Sequence, residues 1–211
     1  MPIDFSANAA PATTAVLTME IQRGVVGDLS CIPALSDAVR QVGLVEHAAD
    51  LVNEARRVGA RVVHCVVEHR ADLQGGSYNT PLMAALRNGP VQMIAGTPAA
   101  EQMPEIGRQP SDFVSARVHG LSPFSGTGLD ALLRNLGVRN VIAVGVSINV
   151  GVLGLCIEAT NLGYNLIVAT DAVVGVPVEY GQAVIDNTIR NLARLTTTDK
   201  IVEYWKALPA M

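Results

Sequence analysis

Residues 141–169 read VIAVGVSINVGVLGLCIEATNLGYNLIVA, and this stretch decides the fold class. It begins with an apolar run, passes through a turn from Gly145 to Gly151, and continues as a helical pattern to about Gly163. A second apolar run then follows. Continuous aliphatic runs are typical of strands that are covered on both faces, as in a parallel sheet. The order strand, helix, strand therefore predicts a parallel crossover unit with the turn at one end of the sheet.

The same alternation extends in both directions along the chain. The predicted strands are Thr14–Met19, Arg61–Val67, Asp112–Ser115, Val141–Val146, Leu166–Ala169 and an edge strand at 194–198. Helical spacing of apolar residues predicts helices over about 44–55, 129–136, 149–163 and 184–192, with a short helix at the C-terminus. The pattern predicts an α/β fold with three layers, α-β-α, around a mainly parallel sheet of about six strands with Rossmann-type topology. We assign residues 13–211 to this one domain and residues 1–12 to an N-terminal tail.

Composition narrows the function classes. The 211 residues are 49% hydrophobic and 16% charged, with a net charge of −4 and no basic stretch able to neutralise a phosphate backbone, so we expect no nucleic-acid partner. No apolar run reaches the roughly 18 residues of a membrane helix, and the first residues lack the basic start of a signal peptide. Three cysteines without paired spacing suit a reducing compartment. These features predict a cytoplasmic protein that acts on a small molecule.

Ligands of doubly wound sheets bind beyond the carboxyl ends of the strands, where the strand order reverses. This rule places three segments around one pocket: Glu20 to Arg23, Arg117 to Phe124, and Val146 to Gly151. We predict that Gln22, His119, Phe124, Ser147, Asn149 and Val150 contact the substrate there.

The residue types in these segments indicate a chemistry. Glu20 follows the first strand and can act as a general acid or base, although a solvated or ion-paired Glu is the plain alternative. Arg117 can hold a substrate carboxylate or pair with Glu20, and His119 can move a proton, unless the two form a surface pair. Backbone amides before the helix that starts near Gly151 can hold an anion, unless the turn serves packing alone.

Other motifs are weaker. His64 and His69 are five residues apart in and after a strand, so their side chains point to opposite faces and we expect no metal site. The glycines of the 145–151 turn do not have the spacing of a dinucleotide fingerprint, and we expect no cofactor. Residues 88–110 form a long segment rich in Pro and Gly that is either functional or a surface excursion.

Several segments, in this order and spacing, resemble the isochorismatase-like hydrolases, also called the cysteine hydrolase superfamily. They are Ala15–Gln22, Gly96–Glu101 through Asp112, Ser122–Asp130, Gly145–Ser147 through Tyr164, and Asp171–Ala172. The resemblance extends from about Thr14 to Trp205. It implies the same α/β fold, a hydrolase activity and a homo-oligomer, either a dimer or a tetramer.

Most members of that family use an Asp, a Lys and a nucleophilic Cys, and this chain departs from all three. The Asp position carries Glu20, the Lys position falls on Arg117 or Val118 depending on register, and the Cys position is Gly151. Glycine has no nucleophile, so covalent chemistry cannot occur at that residue. The resemblance therefore implies a hydrolase in which Glu20, Arg117 and Gly151 form a cysteine-independent site. A catalytically inactive binding protein is the main alternative, and an amidase with a relocated nucleophile at Ser147 or Cys156 is another.

Overall fold

The computed structural model describes residues 3–210 and contains one sheet of six strands. The strands, in chain order, are β1 Thr14–Met19, β2 Arg61–Val67, β3 Phe113–Arg117, β4 Asn140–Val146, β5 Asn165–Val174 and β6 Arg194–Thr196. Their spatial order is β3-β2-β1-β4-β5-β6, and all five neighbouring pairs are parallel. This confirms the predicted α/β class and the parallel sheet of six strands.

Helices cover both faces of the sheet. Within residues 3–210 they are α1 Phe5–Asn8, α2 Arg23–Val26, α3 Pro33–Val42, α4 Leu44–Arg57, α5 Pro81–Arg87, α6 Leu129–Asn135, α7 Gly151–Asn161, α8 Val178–Asn187 and α9 Thr198–Lys206. In β1, Val16 packs into the core with α3, α4 and α9, whereas Leu17 and Met19 pack with α6, α7 and α8. This alternation along a strand produces the three layers. None of these helices is both long and apolar enough to span a membrane.

Several element boundaries differ from those predicted. The third strand begins at Phe113, because the Asp112 carboxylate turns to Arg56 and His64. Strand β5 has ten residues, since it pairs with β4 on both sides of a register shift between Ala143 and Gly145. The predicted helix over 184–192 is instead the end of α8 followed by a separate 3₁₀ turn. Helices α3 and α5 were not predicted, although each begins with a proline, which is typical of a first helical turn.

The strand order reverses beside β1. From β1 the chain moves outward to β2 and β3, and it then crosses back to place β4 on the other side of β1. The carboxyl ends of β1 and β4 are therefore adjacent, with Met19 paired to Gly145. Glu20 and Ser147 follow these two ends directly, so the fold brings together two segments that are more than a hundred residues apart in sequence.

The segment predicted as an N-terminal tail is packed over its described part. Helix α1 lies against the end of the chain, where the ring of Phe5 stacks on Tyr204 with 5.5 Å between ring centroids. The carbonyl of Ala9, which is fully buried, accepts a hydrogen bond of 2.8 Å from Nε1 of Trp205. These contacts satisfy the buried indole N–H and fix residues 5–9 against α9.

Candidate functional site

A cavity of about 100 Å³ lies at the carboxyl ends of the strands, next to the strand-order reversal. Its floor consists of residues that follow or end the central strands: Glu20, His69, Arg117, Ser147, Val150 and Gly151. The facing side, which we call the apolar wall, is built from α2–α3 and α5: Val25, Ile32, Leu35, Leu82, Met83 and Leu86. A concave, mostly apolar pocket with a few convergent polar groups is typical of small-molecule sites.

Glu20 and Arg117 meet in the floor of this cavity. Nη2 of Arg117 donates to Oε1 of Glu20, and the two side chains are only 6% and 16% exposed, respectively. The backbone of Glu20 has a φ of 52°, in the left-handed region that residues with a Cβ rarely adopt. Such conformations cost of order 1–3 kcal/mol and cluster at functional sites. The local backbone therefore turns the Glu20 carboxylate into the cavity at an energetic cost.

One nitrogen of the Arg117 guanidinium has no hydrogen-bond acceptor among the described residues. Its Nε donates to the carbonyl of Gly120 at 3.2 Å and its Nη2 to Glu20, whereas Nη1 is buried and has no partner within residues 3–210. Val118 is 39% exposed, so Arg117, not Val118, is the residue whose side chain reaches Glu20. An unpaired buried N–H of a cation is costly to leave without an acceptor, which makes Nη1 a candidate anion-binding group.

The turn from Ser147 to Gly151 forms one side of the floor, and its first peptide bond, Val146–Ser147, is cis. Two of its amides are already used, because Ile148 N donates to Val174 O at 2.9 Å and Val150 N to Ser147 O at 3.1 Å. Within the described chain, the amides of Ser147, Asn149 and Gly151 donate to no protein acceptor, and of these three residues Ser147 and Gly151 line the cavity. The amides of Ser147 and Gly151 are therefore the candidates for the predicted anion site over residues 147–151, which stays a prediction.

His69 was missed as a site residue by the sequence reasoning, which considered it only as half of a metal pair. It follows the carboxyl end of β2 by two residues and lines the cavity, so the topology rule could have found it. Burial, with a smaller effect of Arg117, lowers the pKa of His69 below its ordinary value. The ring is therefore neutral near pH 7 and able to accept or donate a hydrogen bond.

Comparison with known proteins identifies the family. The sequence profile described as "Isochorismatase domain" matches residues 14–200. The chain belongs to the isochorismatase family. The uncharacterized isochorismatase family protein YwoC of Bacillus subtilis (strain 168) is 28% identical over 197 residues, which cover 92% of this chain and 94% of that protein.

Solved structures of isochorismatase-like proteins share the fold. A crystal structure of an isochorismatase family protein from Desulfovibrio vulgaris subsp. vulgaris str. Hildenborough matches with a TM-score of 0.76 and 23% identity, over 92% of this chain and 98% of that one. A cysteine hydrolase from Pseudomonas syringae pv. phaseolicola 1448A also has a TM-score of 0.76, at 19% identity over 98% of this chain and 96% of that one. At these identities the likeness concerns the fold alone.

In this isochorismatase-family chain, five of the nine predicted site residues lie together in the cavity: Glu20, Arg117, Ser147, Val150 and Gly151. The side chain of Gln22 is fully buried and not in the cavity lining, since its amide binds the backbone of Val67 and the carbonyl of Ala100. Gln22 thus fastens the end of β2 to a loop, a role that follows from tertiary contacts rather than from its place after β1.

The three other predicted site residues also lie outside the cavity lining. The ring of Phe124 stacks on Tyr164 with 6.0 Å between centroids, beside a separate surface hollow. The ring of His119 packs against Gly126. Nδ2 of Asn149 donates to the carbonyl of Val176 at 3.3 Å. Each of these three side chains contacts a neighbouring segment of the chain and does not line the cavity.

The cysteines differ in their access to the cavity. Cys156 and Cys65 are fully buried in the core, and burial raises the pKa of each thiol to about 12. Neither is placed or ionised as a relocated nucleophile would need to be. Cys31 does line the cavity, and there too burial raises the pKa of the thiol. The thiol that lines the cavity is therefore in its unreactive, protonated form at neutral pH.

Proposed function

We propose that this protein is an isochorismatase-family hydrolase that acts on a small, anionic substrate without a covalent cysteine intermediate. One observation carries the proposal: the Glu20 carboxylate and the Arg117 guanidinium meet in one cavity beside Gly151, at the position where most of the family has its nucleophile. With no nucleophile at Gly151, acid–base catalysis of a direct attack by water is the chemistry that Glu20 can provide.

Glu20 is the one carboxylate among the lining residues, and we assign it the proton-transfer role. For a vinyl-ether substrate, the protonated carboxyl group of Glu20 would give its proton to the enol-ether carbon. Water would add to the electron-poor carbon and return a proton to Glu20, and the resulting hemiketal would break its C–O bond to give a carbonyl compound and an alcohol. The amides of Ser147 and Gly151 have no other acceptor and would stabilise the negative charge on the alcohol oxygen that leaves when the hemiketal C–O bond breaks. Arg117 positions Glu20 with Nη2 and offers Nη1 to an anionic group.

The charges around the cavity support an anionic substrate. The negative charge of Glu20 is matched by Arg117. Arg87 also lines the cavity, lies over the ring of Tyr78 at 4.1 Å, and has no carboxylate partner within residues 3–210. The balance at the cavity is therefore one positive charge in excess, which raises the local concentration of small anions.

A ligand screen with product analysis tests this proposal. The protein is screened by thermal shift against small carboxylates, amides and vinyl ethers, and every compound that stabilises it is incubated and analysed for hydrolysis. We expect turnover of at least one anionic compound. Binding without turnover across the whole panel would contradict the proposal and favour a binding protein on the same fold.

Cysteine independence has its own test. Cys31→Ser replaces the thiol in the cavity and Cys156→Ala replaces the buried thiol of α7. Both variants are expected to keep kcat within about twofold of the parent, since neither sulfur takes part. A loss of more than about a hundredfold in Cys31→Ser, at an unchanged melting temperature, would contradict the proposed mechanism.

A further inference from the structure

Helix α5 differs from the other α-helices of residues 3–210 because none of its residues is buried in the core. It nevertheless contributes Leu82, Met83 and Leu86 to the lining of the cavity. Leu82 is 41% exposed, a high value for a leucine that faces other apolar groups. The apolar side chains of α5 thus face the cavity instead of the protein interior, and a ligand would complete their burial.

The position of α5 is fixed at both ends by its own segment. At the start, Pro81 occupies the first turn and the hydroxyl of Thr80 accepts from the amide of Met83 at 3.2 Å. At the end, Nε2 of Gln92 donates to the carbonyls of Leu86 and Arg87 at 2.9 and 3.0 Å. These contacts satisfy terminal groups of the helix and set the direction of its apolar face without help from the core.

The part of the apolar wall that comes from the α2–α3 region has no polar side chains either. Val25, Ile32 and Leu35 come from the α2–α3 region, and none of these side chains carries a hydrogen-bonding group. A substrate hydroxyl or charge placed between them and α5 would lose its bonds to water without replacement, at a cost that can reach orders of magnitude in binding. The polar groups of the floor lie at the ends of the strands, where the reacting bond would sit.

We propose that the inner face of α5, formed by Leu82, Met83 and Leu86, determines specificity, and that with Ile32 and Leu35 it selects acids with a plain hydrocarbon body. This rests on the proposed function, whose substrate it narrows to a compound with its anionic group and hydrolysable bond at the floor and a branched or cyclic hydrocarbon group against α5. An engineered cavity of about 150 Å³ holds benzene, so the cavity of about 100 Å³ here encloses about four carbons, and a larger ring would extend toward the exposed side of Leu82. A hydroxyl group placed against these apolar side chains finds no hydrogen-bond partner among them, which disfavours hydroxylated rings of the same size.

Two matched ring acids test the inference by calorimetric binding. Cyclohexanecarboxylate and its tetrahydroxy derivative, quinate, have the same ring and the same carboxylate. We expect cyclohexanecarboxylate to bind at least about tenfold more tightly. Equal affinities, or tighter binding of quinate, would overturn the inference.

Variants of α5 locate the effect. Leu86→Phe fills part of the cavity and is expected to weaken cyclohexanecarboxylate at least about tenfold while leaving acetate within about twofold. Ala85→Phe adds the same ring at an exposed position of the helix that does not line the cavity, and should change neither affinity. Since α5 buries nothing in the core, both proteins should fold. If Leu86→Phe leaves cyclohexanecarboxylate unaffected, α5 does not determine specificity.

Arg117→Gln tests the proposed anion site independently of the specificity proposed for α5. Arg117→Gln removes the proposed anion group and should abolish binding of acetate and cyclohexanecarboxylate alike, with folding checked by the melting temperature. If acetate still binds to folded Arg117→Gln, the anion role of Arg117 is wrong whatever Leu86→Phe does. If Arg117→Gln itself does not fold, competition of chloride with acetate on the parent protein measures the same anion site, and absence of competition contradicts it.

Discussion

Strand β3 has an ion pair at each end, and the two pairs differ in how fully they are satisfied. At its amino end, the Asp112 carboxylate accepts from Nη2 of Arg56 at 2.6 Å and from Nε2 of His64 at 3.1 Å. The other ring nitrogen of His64 bonds the hydroxyl of Thr18 at 2.8 Å. The Asp112 side chain is 1% exposed. We call these four residues the interior network.

At the carboxyl end of β3, Arg117 meets Glu20 in the cavity floor. All three nitrogens of the Arg56 guanidinium have acceptors, whereas Nη1 of Arg117 has none within the described residues. Glu20 also has an unfavourable backbone conformation, which no member of the interior network shares. The comparison teaches that buried charge alone does not indicate a site. A candidate site is indicated when a buried charge also has an unsatisfied donor, a strained backbone and an adjoining cavity.

The largest expected effect concerns the Glu20 pair. Glu20→Gln keeps the size of the side chain and one hydrogen-bond acceptor for Arg117, but it cannot transfer a proton. Removal of a general acid or base lowers the rate by about 10²- to 10⁴-fold, and we expect a loss of kcat in this range. Steady-state kinetics on a substrate from the screen measures it, with Glu68→Gln, outside the cavity lining, as the control. Unchanged turnover in Glu20→Gln would show that the Glu20–Arg117 pair, like the interior network, has no part in catalysis.

The interior network is expected to show the opposite response. Asp112→Ala leaves Arg56 and His64 buried without their carboxylate, which typically costs about 3–5 kcal/mol of folding free energy. Turnover per folded molecule should stay within about twofold. Urea denaturation gives the first quantity and kinetics at low temperature the second, with the surface variant Asp72→Ala expected to leave both unchanged. A stable Asp112→Ala protein that has lost activity would show that the network serves the site.

A substitution at Gly151 in the cavity floor is expected to affect both stability and turnover. A Cβ at this position would lie 3.0 Å from the carbonyl oxygen of Val146 and 3.1 Å from Cε of Met19, tighter than ordinary contacts. Overpacking of this kind costs about 1–3 kcal/mol, and it would displace the amides of the turn. We expect Gly151→Ala to lose stability in that range and turnover by about tenfold or more. Gly128→Ala, where a Cβ meets nothing within 4 Å, is the matched control.

The smallest effect is on the pH dependence of stability. Burial lowers the pKa of His64 and of His69 in the folded protein. Below about pH 6.5 the unfolded chain therefore binds more protons than the folded one, and the free energy of unfolding falls as the pH falls, by at most about 1.4 kcal/mol per pH unit and ring. The fall ends once the pH is below the folded-state pKa values.

Denaturation curves between about pH 5 and 7.5 measure this slope, because the carboxylates remain ionised there. In His64→Gln only His69 should contribute to the pH dependence of the free energy of unfolding, so the slope should be smaller. An unchanged slope in His64→Gln would mean that the interior histidine does not titrate differently on folding, which contradicts its place in a closed network.

The residues differ in how far sequence alone could predict them. The aliphatic runs and their alternation predicted the six-stranded parallel sheet, because burial on both faces leaves a clear pattern in each strand. The topology rule predicted Glu20 and the 145–151 turn as neighbours, and it would equally have found His69, since it depends only on where strands end. Helix α5 was missed because a short helix that buries no residue in the core leaves no periodic pattern. Helix α3 does have a buried face, formed by Leu35, Ala38 and Val39, and its apolar spacing was overlooked.

What the sequence by itself determined is thus the sheet, the placement of Glu20 and of the turn at Gly151 at its carboxyl edge, and the absence of a side-chain nucleophile at Gly151. Only the tertiary structure decided that Arg117 and not Val118 reaches Glu20, that Gln22 binds backbone instead of lining the cavity, and that α5 closes the pocket. The physical reason is that strand patterns arise from local alternation of burial. Which side chain points into a cavity depends on contacts between segments far apart in the chain, and one residue of register reverses the direction of a side chain.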